Sequence, residues 1–171
     1  AIVATGTAMF TNLTGLPSLA QAGLWGIGAY ASGVAVAELD VGFWPSLAFA
    51  AVVPAIVAFP IALVALRTSG MAFLIVTIAF TEFIVLLLTN LEITGGSLGL
   101  SAAAGPGAWF DTPQRTYYLY LGFLALALIA CFAIERSHFG ERVRAIRDNE
   151  PLARALGLSS LWHRLVLLEI S

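Results

Sequence analysis

Six arginines fall between Glu135 and Arg164: Arg136, Arg142, Arg144, Arg147, Arg154 and Arg164. Arg67 and Arg115 complete the basic set, and there is no lysine. Such a cluster binds by charge. It suits a docking partner on one face of a membrane, or the headgroups of anionic lipids. Within it, Asp148-Asn149-Glu150-Pro151 has the acceptor side chains and first-turn proline of a helix start. Leu152 to Leu156 supplies one or two turns, and Gly157 suits the stop. Leu152 and Leu156, four apart, share a face. A short capped helix with an apolar knob and a basic rim fits a groove in a partner, and that tips the reading toward docking.

The other reactive side chains are sparse. Glu82 lies near the middle of the apolar run 71–90. A carboxyl at that depth is costly, so it faces either a cavity or a neighbouring helix that bonds it. No chain of Asp, Glu and His accompanies it, which argues against a proton relay. Ser97 sits in GSLG, but no histidine occurs in any span to activate it as a nucleophile. His138 and His163 lie in the arginine-rich region with no cysteine nearby, and read as solvated or headgroup-facing rather than as metal ligands. The single cysteine, Cys131, falls in an apolar run and reads as a packing residue. No catalytic residue, metal site or cofactor site is expected.

The elements that position these groups belong to a membrane. Of 171 residues, 60% are hydrophobic and 11% charged, and mean hydropathy is +0.93. Soluble domains are nearer a quarter charged. Crossing a bilayer as a helix takes about 20 mostly apolar residues. Four segments qualify or nearly so, Gln21–Ala37, Phe43–Leu66, Met71–Asn90 and Thr116–Ile134, with partial spans at 1–16 and 164–171. The fold class expected is an all-α polytopic bundle, one membrane domain over 1–171 with a cytoplasmic loop at 135–164. Placing Arg67 and the arginine cluster inside alternates the spans consistently and puts Glu38–Asp40 and the loop 91–115 outside. The chain lacks an initiator Met and ends in an apolar run. We expect it to be a piece of a longer protein.

Three features suggest a path through the bundle. Pro54 and Pro60 should kink the second clear span, because each removes a backbone donor. The stretch TGLPSLAQAG, with Ser18 and Gln21, reads as a broken or re-entrant segment that must be buried in protein or line a cavity. Thr94, Gly95 and Gly96 belong to a glycine-rich external segment that forms either a flexible loop or a lip over the path. That segment lacks the Gly-Lys-Ser/Thr of a phosphate loop.

Four motifs resemble, in order, those of the inner-membrane permeases of branched-chain amino-acid ABC importers, the LivM type. They are GLPSLAQAGLWGIGAY, LRTSGMAFLIVTIAFTE, EITGGSLGLS and FGERVRAIRDNEPLARALGLS. The fourth is the most specific. The resemblance implies a multi-pass permease subunit of the inner membrane. It would work by alternating access with a second permease, two cytoplasmic ATPases that bind the ATP, and an extracytoplasmic solute-binding protein. It implies no enzyme activity and no nucleic acid. It places Arg144, Arg147, Asp148, Glu150, Ala153, Leu156 and Gly157 at the coupling positions toward the ATPase, and the path residues would be Ser18, Gln21, Glu82, Thr94, Gly95 and Gly96. Two positions depart from the family pattern. Val85 stands where members often carry an Arg one turn after the mid-span Glu, and Glu141 stands where Arg is usual. Importers of urea, amides or other amino acids are the nearest alternative, and a secondary transporter is a more distant one.

Overall fold

A computed structural model of the chain describes residues 1–68, 70–91, 94–96, 99–100 and 112–171. Among them the regular elements are all helices: α1 (Ile2–Thr14), α2 (Ala20–Leu39), α3 (Phe43–Ala65), α4 (Met71–Asn90), α5 (Pro113–Glu135), α6 (His138–Asp148), α7 (Glu150–Ala155) and α8 (Ser160–Ile170). Helices α3, α4 and α5 are each long and apolar enough to cross a membrane. Their outward faces carry Ile56, Val64, Ile75, Phe83, Leu126 and Ile129, all exposed. A bilayer solvates such faces, so they need no protein cover.

Helix α2 is less apolar because it is built from glycine and alanine, and that composition sets its place. It lies against both α3 and α4. Pro54 has no N–H, so the Ala50 carbonyl four residues back loses its helical donor. Gly28 packs against that turn of α3. A Cβ at Gly28 would stand 2.9 Å from the Ala50 carbonyl oxygen and 3.3 Å from Pro54 Cγ. On the other side Gly23 abuts Thr81, whose Oγ1 would lie 3.3 Å from an added Cβ. Small residues let the backbones approach to this distance.

The expected break before α2 is present. Helix α1 stops at Gly15, which adopts φ 71, and α2 starts at Ala20. The groups freed between the two helices find partners locally and on α4. The Thr14 hydroxyl accepts from the Leu16 N–H at 3.1 Å, and Ser18 accepts from Ala20 at 3.3 Å. The Leu19 N–H donates to Thr77 Oγ1 at 3.4 Å, and Thr81 Oγ1 donates to the Leu19 carbonyl at 3.0 Å. Interrupted backbone away from water requires such satisfaction.

The main core lies toward the end of the bundle where α1 stops, α4 begins and α6 and α8 pack. It joins Phe10, Leu13, Phe73, Val143, Leu165 and Leu167. Phe10 and Phe73 stack with ring centroids 6.1 Å apart. Between α5 and α6 the chain turns at Arg136–Ser137. The Ser137 hydroxyl caps α6 by accepting from the Gly140 N–H at 3.3 Å.

Candidate functional site

At the arginine-rich end, α7 forms as its local sequence dictates. The Asn149 side chain accepts from the Leu152 N–H at 3.1 Å, and Pro151 occupies the first turn. At the other end the Leu158 N–H reaches the Ala153 carbonyl and the Gly157 N–H reaches the Arg154 carbonyl, both at 3.0 Å. That pair of bonds needs a left-handed residue at Gly157, which has φ 84. Ala153 faces inward and is buried, while Leu152 and Leu156 are 56% and 74% exposed. The apolar knob therefore points away from the chain's own core.

Glu150 fastens this helix to α8. Its Oε1 accepts from Ser160 Oγ at 2.8 Å and from Arg154 Nη2 at 2.6 Å, and its Oε2 from Arg164 Nη2 at 3.2 Å. The Ser160 hydrogen bond is the main cause holding its carboxyl below the usual range, with Arg164 and Arg154 adding to it against an opposing effect of burial. A cleft of about 600 Å³ opens beside this clamp, with Arg67 on its other wall.

The arginines are not a uniform rim. Arg147 crosses to α1, where its Nη1 donates to the Asn12 carbonyl at 2.5 Å. Its stem runs over Gly15, whose added Cβ would lie 3.1 Å from Arg147 Cγ. Its Nε also pairs with Asp148 Oδ1 at 3.1 Å. Arg144 donates to the Glu135 carbonyl at 3.0 Å, at the end of α5. Both cations thus sit at helix C-termini, where the unpaired carbonyls and the helix dipole favour positive charge. Arg136 lies over the Phe132 ring, 4.2 Å from its centroid.

The residues expected along a path are spread over three places. Gln21 and Ser18 are buried near the start of α2. Gln21 lines a cavity of about 370 Å³ with Trp25, Ala50, Pro54, Ala58 and Glu169. Ser18 serves the backbone turn before α2. Thr94 is buried at the far end of α4, where its hydroxyl donates to the Leu88 and Leu91 carbonyls. Gly95 and Gly96 follow it with φ 76 and 57. Glu92 and Ser97 lie outside the described residues. Glu82 is exposed on the outward face of α4, in line with Ile75, Ile78 and Leu86. Sequence reasoning passed over Thr77 and Thr81, which hold the break. Their spacing of four on an apolar helix was the available signal. It also passed over Glu169, an acid inside an apolar run.

Comparison with known proteins follows the same lines. The family model described as branched-chain amino acid transport system / permease component matches residues 1–171. The LivM permease protein of the high-affinity branched-chain amino acid transport system of Salmonella typhimurium (strain LT2) is 32% identical over 197 residues, covering 99% of this chain and 46% of that protein. The LivM protein of Escherichia coli (strain K12) gives the same identity and coverage. The chain spans about half the length of these curated relatives. No solved structure matches it.

Proposed function

The chain belongs to the permease-component family of branched-chain amino acid transport systems, and from that membership we propose that it is a membrane-spanning subunit of an ATP-driven importer for branched-chain amino acids. It works in the cell inner membrane beside a second permease subunit. Two ABC ATPases bind its cytoplasmic end, and an external solute-binding protein delivers substrate. The chain makes and breaks no covalent bond. ATP is bound and hydrolysed on the partner.

The observation that carries this reading is α7, capped at both ends, with Leu152 and Leu156 outward and Glu150 clamped to α8. A partner groove that grips the two leucines moves α7. The Glu150–Ser160–Arg164 bonds pass that displacement to α8. Helix α8 rises about 1.5 Å per residue, so Glu169, nine residues beyond Ser160, lies some 14 Å deeper in the bundle. Motion of the ATPase is thereby delivered to the wall of the membrane cavity. Of the coupling residues, Leu156 supplies contact, and Gly157 and Ala153 shape the helix. Arg144, Arg147 and Asp148 lie on the preceding α6, and the two arginines brace that helix against α5 and α1. Glu82, with an ionisable group on an outward face at mid-span, supports a neighbouring membrane subunit on that side, since lipid accommodates it poorly.

Cross-linking tests the reading. The protein carries Cys131→Ser and Leu156→Cys, and is co-expressed with its ATPase bearing single cysteines along the candidate groove. A disulfide whose yield changes with ATP is the expected result. No cross-link at any groove position, with both proteins folded and present, would return the arginine-rich end to a lipid-binding role.

A further inference from the structure

Among the described residues, two buried side-chain oxygens have no hydrogen-bond partner: Gln21 Oε1 and Glu169 Oε1. Both residues line the same cavity, beside the middle of α3. Gln21 is 5% exposed, and its amide nitrogen is already committed to Ser171 Oγ at 3.2 Å. Ser32, another polar residue of that wall, spends its hydroxyl on the Ala29 carbonyl at 2.9 Å. What remains open are acceptors. Among the described residues that line it there is no arginine or histidine, and Glu169 is the one ionisable side chain. A buried acceptor left without a donor is destabilising, and such groups in a folded protein call for water or a ligand. The remaining wall is apolar: Trp25, Ala50, Ala55 and Ala58. At about 370 Å³ the cavity has the size of a small-molecule site.

We propose that this cavity is a membrane-embedded binding site for a primary ammonium on a short aliphatic chain, with Gln21 Oε1 and Glu169 Oε1 accepting its N–H groups and the alanine wall and Trp25 taking the aliphatic part. It deepens the reading of the chain as an amino-acid permease and rests on it for the identity of the cargo, which here would be a branched-chain amino acid held by its amino end. The site sits on α8, the helix clamped to α7, so the same displacement that couples to the ATPase moves Glu169 relative to Gln21. Among the described lining residues a carboxylate has no cation to meet, which makes the ammonium end the one recognised.

The test is direct binding to the whole protein in nanodiscs, read from Trp25 emission with Trp44, Trp109 and Trp162 replaced by Phe. Leucine and isoamylamine should each give a saturable change, and 4-methylpentanoate, which lacks the ammonium, should not. Glu169→Gln and Gln21→Leu should each weaken isoamylamine binding by about 10- to 100-fold, the range of a hydrogen bond to a charged group. Glu169→Asp should retain part of it. Circular dichroism confirms that each variant is folded. Equal binding of the acid analogue, or unchanged affinity in both folded variants, would overturn the proposal. So would the absence of any saturable response, which leaves a water-filled cavity only. None of these results depends on the ATPase. Failure of the transport reading would instead show as an absence of ATP-dependent uptake by the wild-type importer.

Discussion

Glu150 holds α7 to α8 by contacts of unequal worth. The Arg154 pair is an i, i+4 contact on an exposed helix face, and such pairs contribute a few tenths of a kcal/mol. The Arg164 side chain is 12% exposed, so its pair with Glu150 is less screened and dominates together with Ser160. Glu150→Ala should therefore lower stability by about 1–2 kcal/mol, and Glu150→Gln by less because the Ser160 bond survives. The sign with pH follows from the lowered carboxyl. Its stabilising contribution is fully present above the ordinary value of 4.5 and is lost as pH falls through the lowered one. Thermal unfolding in detergent from pH 7 down to 3 measures this. The gap between wild type and Glu150→Gln should be flat at neutral pH and close in acid. A gap that widened in acid would mean that the carboxylate does not act as the clamp.

At the scale of the element, α2 is decided by its neighbours. Its start depends on Thr77 and Thr81, which occupy the N–H and C=O of Leu19. Thr81→Val keeps the shape and leaves the Leu19 carbonyl without that donor. The cost should be about 0.6–1.7 kcal/mol, the span measured for hydrogen bonds between membrane helices. Faster amide exchange confined to the start of α2 should accompany it. The middle of α2 depends on Gly28, where any Cβ meets the Ala50 carbonyl. Gly28→Val forces α2 away from α3 at Ala50 and Pro54, at about 1–3 kcal/mol of overpacking. A disulfide between cysteines placed at Ile27 and Val53, which belong to one packed cluster, should form readily in the parent and poorly in the Gly28→Val background. Undiminished cross-linking would show that the helices do not meet at that point.

For the whole molecule the decisive fact is which surfaces are finished. The core at the arginine-rich end is closed by aromatic and aliphatic residues from α1, α4, α6 and α8. Helix α5 has no buried residue, and meets the rest through α1 and α6. Its exposed apolar face is of the kind that a bilayer or a neighbouring membrane helix can cover. The orientation expected from the arginines can be measured. In a Cys131→Ser background, a cysteine at Glu38 should react with an impermeant maleimide in intact cells, and one at Leu156 only after permeabilisation. The reverse pattern would invert the bundle and remove α7 from the side where ATP is available.

Several of these features were legible in the chain alone, and for a shared reason. Hydropathy and helix signals are local. The long apolar runs marked the helices, and Asn149, Pro151 and Gly157 marked α7 because capping is decided within a few residues of the helix end. The break before α2 was also visible, since Gly15 and Pro17 act where they stand. What the sequence could not reveal is which side chains meet across the bundle. Nothing local says that Arg147 reaches the end of α1, that Arg144 returns to α5, or that Glu150 is shared with Ser160 and Arg164. Nor does it say that Gln21 and Glu169, 148 positions apart by their numbers, open on one cavity while Glu82 faces outward. Those pairings depend on how the helices cross and rotate, which the packing of Gly28 on Pro54 and of Phe10 on Phe73 decides only once the chain is folded.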